Sequence, residues 1–459
     1  MSGMPFLPAL LLSVSIIVLI AVTQWRRLHP FIAIVFVASA FGLAAGLSIS
    51  LLGKAFGAGF SRAIYSPGLV IVAAALVAAL IENAGATGRL TAMVDRSQSW
   101  RWRSWLGSTR LAALLGLIAG TGASPAAAFA LLTPLVSAIS GAKPKGGAVS
   151  LTLALAISAS HGLVLFSPVV IAAASILDAP WDRVALFGLP AAVLSIAFGC
   201  VWSRRFAVAG TATQSPPCEV DPITQSRSGR STIVLLLATA IPLLMLMVQS
   251  LGDIPSEPLG GGTARELVLG VGRPLILFLV GLGIVTMGTW RTSAKLLADS
   301  DWTARVLGSV AGILLTVGAA GGFQRLCQET GMAELLGERL LAWHLGPSLA
   351  LLVPFLVAAA IKTLQGSSLV AAITAAGMVQ PILFSLGLSD ASGTALAALA
   401  VGAGAMTVSH VNDEFFWVVA NGAGLAPLPG LARFTIGSLL QGLIAVAVLL
   451  LLSVLASSL

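Results

Sequence analysis

The residues that could do chemistry in this chain stand almost alone inside long apolar stretches. They are Glu82, His161, Arg273, Lys362, His410, Asp413 and Glu414. An ionisable group in such surroundings is costly in lipid and marks an ion or substrate pathway by default. His161 lies in SASHG (158–162) and His410 in TVSHVND (407–413), each directly after a serine. A single membrane histidine is often a helix–helix hydrogen-bond donor. Two in matching contexts point instead to a shared site. Lys362 opens the run KTLQGSS. It either neutralises an acidic substrate or pairs with Asp413 as a scaffold ion pair. Asp413 is a candidate proton carrier, with a helix N-cap after a break at Val411–Asn412 as the alternative. Glu82 and Arg273 fall near the ends of apolar runs, where capping or snorkelling accounts for them.

No catalytic arrangement accompanies these groups. HExxH, Walker A and GxSxG patterns are absent, so neither a familiar hydrolase nor a self-contained ATP-driven pump is indicated. The two Ser-His pairs are adjacent residues, which diverge on a helix and make no nucleophile–base couple. Cys200, Cys218 and Cys327 form no CxxC or metal-ligand spacing. No metal, no cofactor and no enzymatic activity are expected.

The elements that must position these residues follow from composition. Of 459 residues, 57% are hydrophobic and 9% charged, with a net charge of +8. Soluble domains carry about 25% charged residues. The chain is therefore read as an all-α polytopic membrane protein in contact with a lipid bilayer. Disordered, nucleic-acid-binding and disulfide-scaffold classes are excluded. Continuous apolar runs exclude a barrel, whose segments alternate over about ten residues. The first run is followed, not preceded, by Arg26 and Arg27, so it reads as a span and not as a cleavable signal.

Spans of about 20 apolar residues are expected near 5–24, 31–52, 66–86, 183–202, 232–250, 266–289, 306–324 and 432–457. Four segments, 111–139, 148–176, 348–384 and 393–422, are interrupted by Gly, Ser or Pro. Lysine and arginine place the loops at 26–27, 87–110, 141–147, 203–230 and 290–305 in the cytoplasm. Asp253 and Glu257 place 251–265 outside, and Trp100, Trp102 and Trp105 suit an interfacial helix. Segment 111–139 then enters and leaves on one face, as a re-entrant hairpin. Residues 1–205 form a first repeat and 231–459 a second, joined by a cytoplasmic linker at 206–230. Each repeat reads as three helices, a hairpin (111–139 or 348–384), a broken helix (148–176 or 393–422) and a last helix. The two have opposite orientation, the signature of secondary transporters.

Hairpin tips within a bilayer leave backbone groups that lipid cannot satisfy, so they face protein or a water-filled cavity. Helix N-termini at such tips present free N–H groups and suit an anion. TGASPAAAF (121–129) and LQGSSLVAA (364–372) are the two tips, which makes Ser124 and Ser367 candidate substrate contacts.

KTLQGSSLVAAITAAGMVQPIL (362–383), LAALAVGAGAMTVSHVNDEFFWVV (397–420) and LLTVGAAGGFQRLCQETGM (314–332) together resemble the gluconate permease family of proton symporters, within the ion transporter superfamily. FALLTPLVSAI (129–139) and SASHGLVLFSP (158–168) fit it more loosely. The resemblance implies uptake of a sugar acid or related small organic anion with protons, by an elevator-type movement, across the cytoplasmic membrane. It implies that Gly366, Ser367, Ser368 and Thr374 match the second hairpin motif. Ser409, His410, Asn412 and Asp413 match the Ser-His-x-Asn-Asp motif, and His161 the histidine of the first half. Proton-coupling candidates are His161, His410, Asp413 and Lys362. The family's Phe-Glu-Val-Gly-Phe at the first hairpin is replaced here by Ser124-Pro125-Ala126-Ala127-Ala128-Phe129, without a carboxylate. Coupling to Na⁺, held by unwound carbonyls, is the alternative, and a channel or membrane enzyme a remote one. A homo-oligomer is left open.

Overall fold

Segments this apolar must satisfy their own backbone hydrogen bonds, and among the described residues they do so as helices. A computed structural model describes residues 7–24, 26, 28–83, 107–122, 124–140, 146–165, 167–206, 230–252, 262–330 and 349–457. Among them there is no strand. The tryptophan-bearing segment 87–106, Lys143 and Lys145, residues 207–229 of the linker, the acidic residues 253–261 and the side chain of Glu82 lie outside the described part.

In chain order the first helices are α1 (Leu7–Gln24), α2 (Pro30–Ala44), α3 (Ile49–Ala63) and α4 (Leu69–Asn83). Then come α5 (Ser108–Ala119), α6 (Pro125–Ser140), α7 (Gly146–Leu163), α8 (Pro168–Ile176) and α9 (Trp181–Phe206). The second half runs α10 (Arg230–Gly252), α11 (Thr263–Val271), α12 (Pro274–Gly288), α13 (Trp290–Ala298) and α14 (Ser300–Glu329). It ends with α15 (Leu352–Gln365), α16 (Ser368–Val379), α17 (Ala391–Ala405), α18 (Glu414–Gly422), α19 (Pro427–Gly430) and α20 (Ile436–Ser457).

Among the described residues four stretches are long and apolar enough to cross a membrane: Gly147–Ile176, Trp181–Phe206, Ser300–Glu329 and Pro427–Leu455. The pair α11–α12, bent by 61°, adds a fifth when taken as one span. Other apolar helices are shorter, because turns divide them. The run read as a single span over 31–52 is one such case. It stops at Ala44, turns through Gly46 (φ 89°), and restarts at Ser48, whose hydroxyl caps α3 by accepting from Leu51 N–H.

Large apolar side chains such as Phe36, Leu186, Leu267, Met287 and Phe384 face outward, as lipid-facing positions require. Hydroxyls within helices turn back on their own backbone: Thr23 donates to Leu19 O, Thr152 to Ala148 O and Thr363 to Ala359 O. Such bonds keep polar groups satisfied without water. Cys327 is buried and Cys200 half-buried, and neither is in a disulfide.

The helices pack in two groups. One joins α1–α4 with α10, α12 and α14; the other joins α5, α7, α8, α9, α15, α16, α17 and α20. Helices α6 and α18 touch both groups. Glycines set the closest crossings. A Cβ on Gly59 of α3 would stand 2.2 Å from the Gly321 carbonyl oxygen of α14. A Cβ on Gly402 of α17 would stand 1.9 Å from the Gly162 carbonyl oxygen of α7. Gly116 is likewise pressed onto Ala156, a packing role for the small residues of α5.

Candidate functional site

The interruptions within apolar segments create a polar centre. Helix α15 ends at Gly366, whose φ of 76° is a left-handed cap that favours glycine. Ser367 then caps α16, its hydroxyl 3.4 Å from Val370 N. On the first-half side, Ser124 caps α6, with its hydroxyl 3.3 Å from Ala127 N. Helix α17 gives way after Ala405 to an unwound stretch in which Val408 takes a φ of 48°. Asp413 then caps α18, accepting from Phe415 N at 2.9 Å.

A buried ion pair ties the turn between α15 and α16 to this break. Lys362 Nζ donates at 2.6 Å to Asp413 Oδ2 and at 2.6 Å to the Gly366 carbonyl. The Ser409 hydroxyl also donates to Asp413 Oδ2. His410 and Asn412 pin the same elements. His410 Nε2 donates to Thr363 O at 2.8 Å, and Asn412 Nδ2 donates to Thr363 O and Leu364 O at 3.1 Å. Two buried acceptors, His410 Nδ1 and Asn412 Oδ1, have no hydrogen-bond partner among the described residues. Of the two roles open to Lys362, the ion pair with Asp413 is the one formed. Asp413 serves as N-cap at the same time.

In the first half the break between α7 and α8 is held differently. Ser167 caps α8 and its hydroxyl donates to the His161 carbonyl. His161 Nδ1 donates to Gly120 O at 3.0 Å, which leaves Nε2 an acceptor in the neutral ring.

These parts enclose a cavity of about 130 Å³. Its walls include Ser124, Pro125 and Ala126 of the first tip, Gly366 to Leu369 of the second, His161, and Asp413 to Phe415. The N-termini of α6, α16 and α18 therefore all open on one space, an arrangement that favours an anion. Of the residues expected from sequence, Ser124, His161, Gly366, Ser367, Ser368 and Asp413 are brought together here. Ser409, His410, Asn412 and Lys362 stand behind this wall as its supports. Thr374 lies on α16 about two turns from the tip and is not part of the lining.

Three polar lining residues were not assigned a role from sequence: Arg62 of α3, Gln324 of α14, and Glu414. The first two come from the other group of helices, and no local motif announces them. The one legible signal for Arg62 is the cap at Ser48, which starts an amphipathic helix with Lys54 and Arg62 in it.

The left-handed turn can be tested directly. In Gly366→Ala the new Cβ would stand 2.3 Å from the Asn412 carbonyl oxygen, at a backbone conformation costing an L-residue about 1–2 kcal/mol by itself. The expected result is a lower unfolding temperature of the purified protein together with loss of transport.

The model of the GntP family of permeases matches residues 7–455. The chain belongs to this family. This permease is a multi-pass membrane transporter and not an enzyme. It is 29% identical over 418 residues to the gluconate permease of Pseudomonas aeruginosa, covering 88% of each chain. It is 27% identical over 423 residues to the gluconate permease of Zymomonas mobilis, again covering 88% of each. Among solved structures, the YdaH transporter of Alcanivorax borkumensis aligns with 93% of this permease and 97% of that chain, at 19% identity and a TM-score of 0.39.

Proposed function

We propose that the protein carries a small organic acid anion, of the gluconate or related sugar-acid class, into the cell across the cytoplasmic membrane together with protons. The carrying observation is the cavity on which three helix N-termini open, with Arg62 at its wall and serines from both hairpin tips. Backbone N–H groups and a guanidinium recognise a carboxylate, and serine hydroxyls, Gln324 and His161 Nε2 can match substrate hydroxyls. The names of the relatives support the same substrate class.

The helix–turn–helix followed by a helix interrupted before its end occurs twice, at 108–176 and at 352–422. This supports reading the chain as two repeats of inverted topology. In that reading the group holding both tips moves against the group carrying Arg62 and Gln324. A volume of about 130 Å³ is close to the about 150 Å³ that accommodates benzene. A six-carbon sugar acid is larger, so the cavity widens as substrate enters.

Protons are favoured over Na⁺ by one feature. The place where a carboxylate and an unwound carbonyl would hold Na⁺ is filled by Lys362 Nζ, bonded to Asp413 Oδ2 and Gly366 O. A tethered ammonium stands where a coupling cation would bind.

Uptake of gluconate into proteoliposomes tests this reading. An imposed pH gradient is expected to drive accumulation, a protonophore to abolish it, and removal of Na⁺ to leave it unchanged. Accumulation that requires Na⁺ and ignores the protonophore would reverse the assignment of the ion. In the double variant Ser124→Ala/Ser367→Ala the KM for gluconate is expected to rise about tenfold or more, two lost hydrogen bonds being involved. Full uptake by that variant would place the site elsewhere.

A further inference from the structure

Four charged side chains line or directly support the cavity. Two of them, Lys362 and Asp413, neutralise each other at 2.6 Å. The other two, Arg62 and Glu414, line the cavity, and neither makes a hydrogen bond or ion pair among the described residues. Glu414 is half-buried in the first turn of α18, and Arg62 is in the last turn of α3.

Other titratable groups around Glu414 are committed elsewhere. Helix α6 has none, and the charges in the last turns of α14, Arg325 and Glu329, pair with each other. His161 of α7 is held through Nδ1 by the Gly120 carbonyl. His410 is turned away to Thr363 O.

We propose that Glu414 carries the coupled proton and that Arg62 takes the substrate carboxylate. The assignment rests on the reading of proton-coupled transport above. When the cavity is empty and Glu414 is ionised, Arg62 and Glu414 balance. A monoanion entering that cavity would meet the like charge of Glu414 on its wall. Protonation of Glu414 by external water removes the repulsion and leaves Arg62 free for the substrate carboxylate. The cavity is then neutral again, with a neutral Glu414 acid group and an Arg62–carboxylate pair. The empty and the fully loaded carrier leave no charge uncompensated, whereas either ligand alone leaves one. Half-loaded forms therefore bear the cost of moving a net charge through lipid, and proton and anion cross together. On the cytoplasmic side Glu414 returns its proton to water and the anion leaves. One proton accompanies one monoanion, so the transport is electroneutral.

The test uses the purified protein in proteoliposomes, with radiolabelled gluconate and an internal pH dye. Wild type is expected to bring in about one proton per gluconate and to ignore a membrane potential set with valinomycin. Glu414→Gln is expected to exchange internal for external gluconate but to lose accumulation and the accompanying proton. Arg62→Gln is expected to raise the KM about tenfold in uptake and exchange alike, as loss of a charged hydrogen bond would. A Glu414→Gln variant that accumulates gluconate with wild-type proton uptake overturns the assignment. If that variant fails to insert or exchange, Glu414→Asp decides: a shifted pH profile of accumulation supports the proposal, and an unshifted one overturns it. A wild type that moves gluconate with no proton refutes the coupling reading itself, and the dye trace separates this from the failure of Glu414 alone.

Discussion

Lys362→Met is expected to destabilise the protein by about 3–5 kcal/mol, the usual result of removing one partner from a buried ion pair. The side chains of Lys362 and Asp413 are only 2% and 7% exposed. Without the ammonium, Asp413 retains the Ser409 hydroxyl and the Phe415 N–H but is itself left as an uncompensated buried charge. The Gly366 carbonyl loses that donor as well. Asp413→Asn should cost less, because an amide oxygen can still cap α18. The double variant should be more stable than the sum of the two losses predicts, since neither charge is then left alone. Unfolding in detergent, followed for wild type, both singles and the double, measures that coupling. Additive losses would show that the pair contributes nothing as a pair.

The second large effect is expected at the crossing of α7 and α17. The Cβ of Gly402→Ala would come within 1.9 Å of the Gly162 carbonyl oxygen, a backbone atom that no rotamer change can move. The helices must separate, and each ends in a break that shapes the site. Overpacking costs about 1–3 kcal/mol where side chains can shift, and this position is expected at or above the top of that range. Gly283→Ala in α12 is the control, because among the described residues nothing beyond its own helical turn lies within 4 Å of the new methyl group. Expression in the membrane and unfolding temperature, measured for the two alanine variants side by side, check the contrast. Equal behaviour would mean that the crossing tolerates a wider spacing than its geometry implies.

The interruptions were legible in the sequence because lipid gives them a distinctive grammar. Gly366-Ser367-Ser368 and Ser124-Pro125 stand out where apolar residues should continue, and local turn chemistry fixes what they do. Asp413 was legible in two readings, as an N-cap and as the partner of Lys362 51 residues away; what the sequence left open was whether Lys362 instead meets a substrate. Arg62 and Gln324 were not legible, because their approach to the cavity depends on how α3 and α14 pack against distant helices. The single span read over 31–52 hid α3 altogether. An apolar run shows where lipid is, and only the turn at Gly46 and the cap at Ser48 show that it bends.

The glycine-lined crossing of α3 and α14 has a bearing on binding. Gly59 and Gly321 bring the two backbones into contact one turn before Arg62 and Gln324. Those two side chains are thus mounted on a stiff plate whose spacing cannot breathe. Little orientational entropy is left for that wall to lose when a carboxylate docks on it. The widening that a six-carbon acid demands must then come from the opposite wall, where Leu369 and Phe415 sit at the starts of short helices. One half of the site acts as a fixed ruler, and the other half supplies the give.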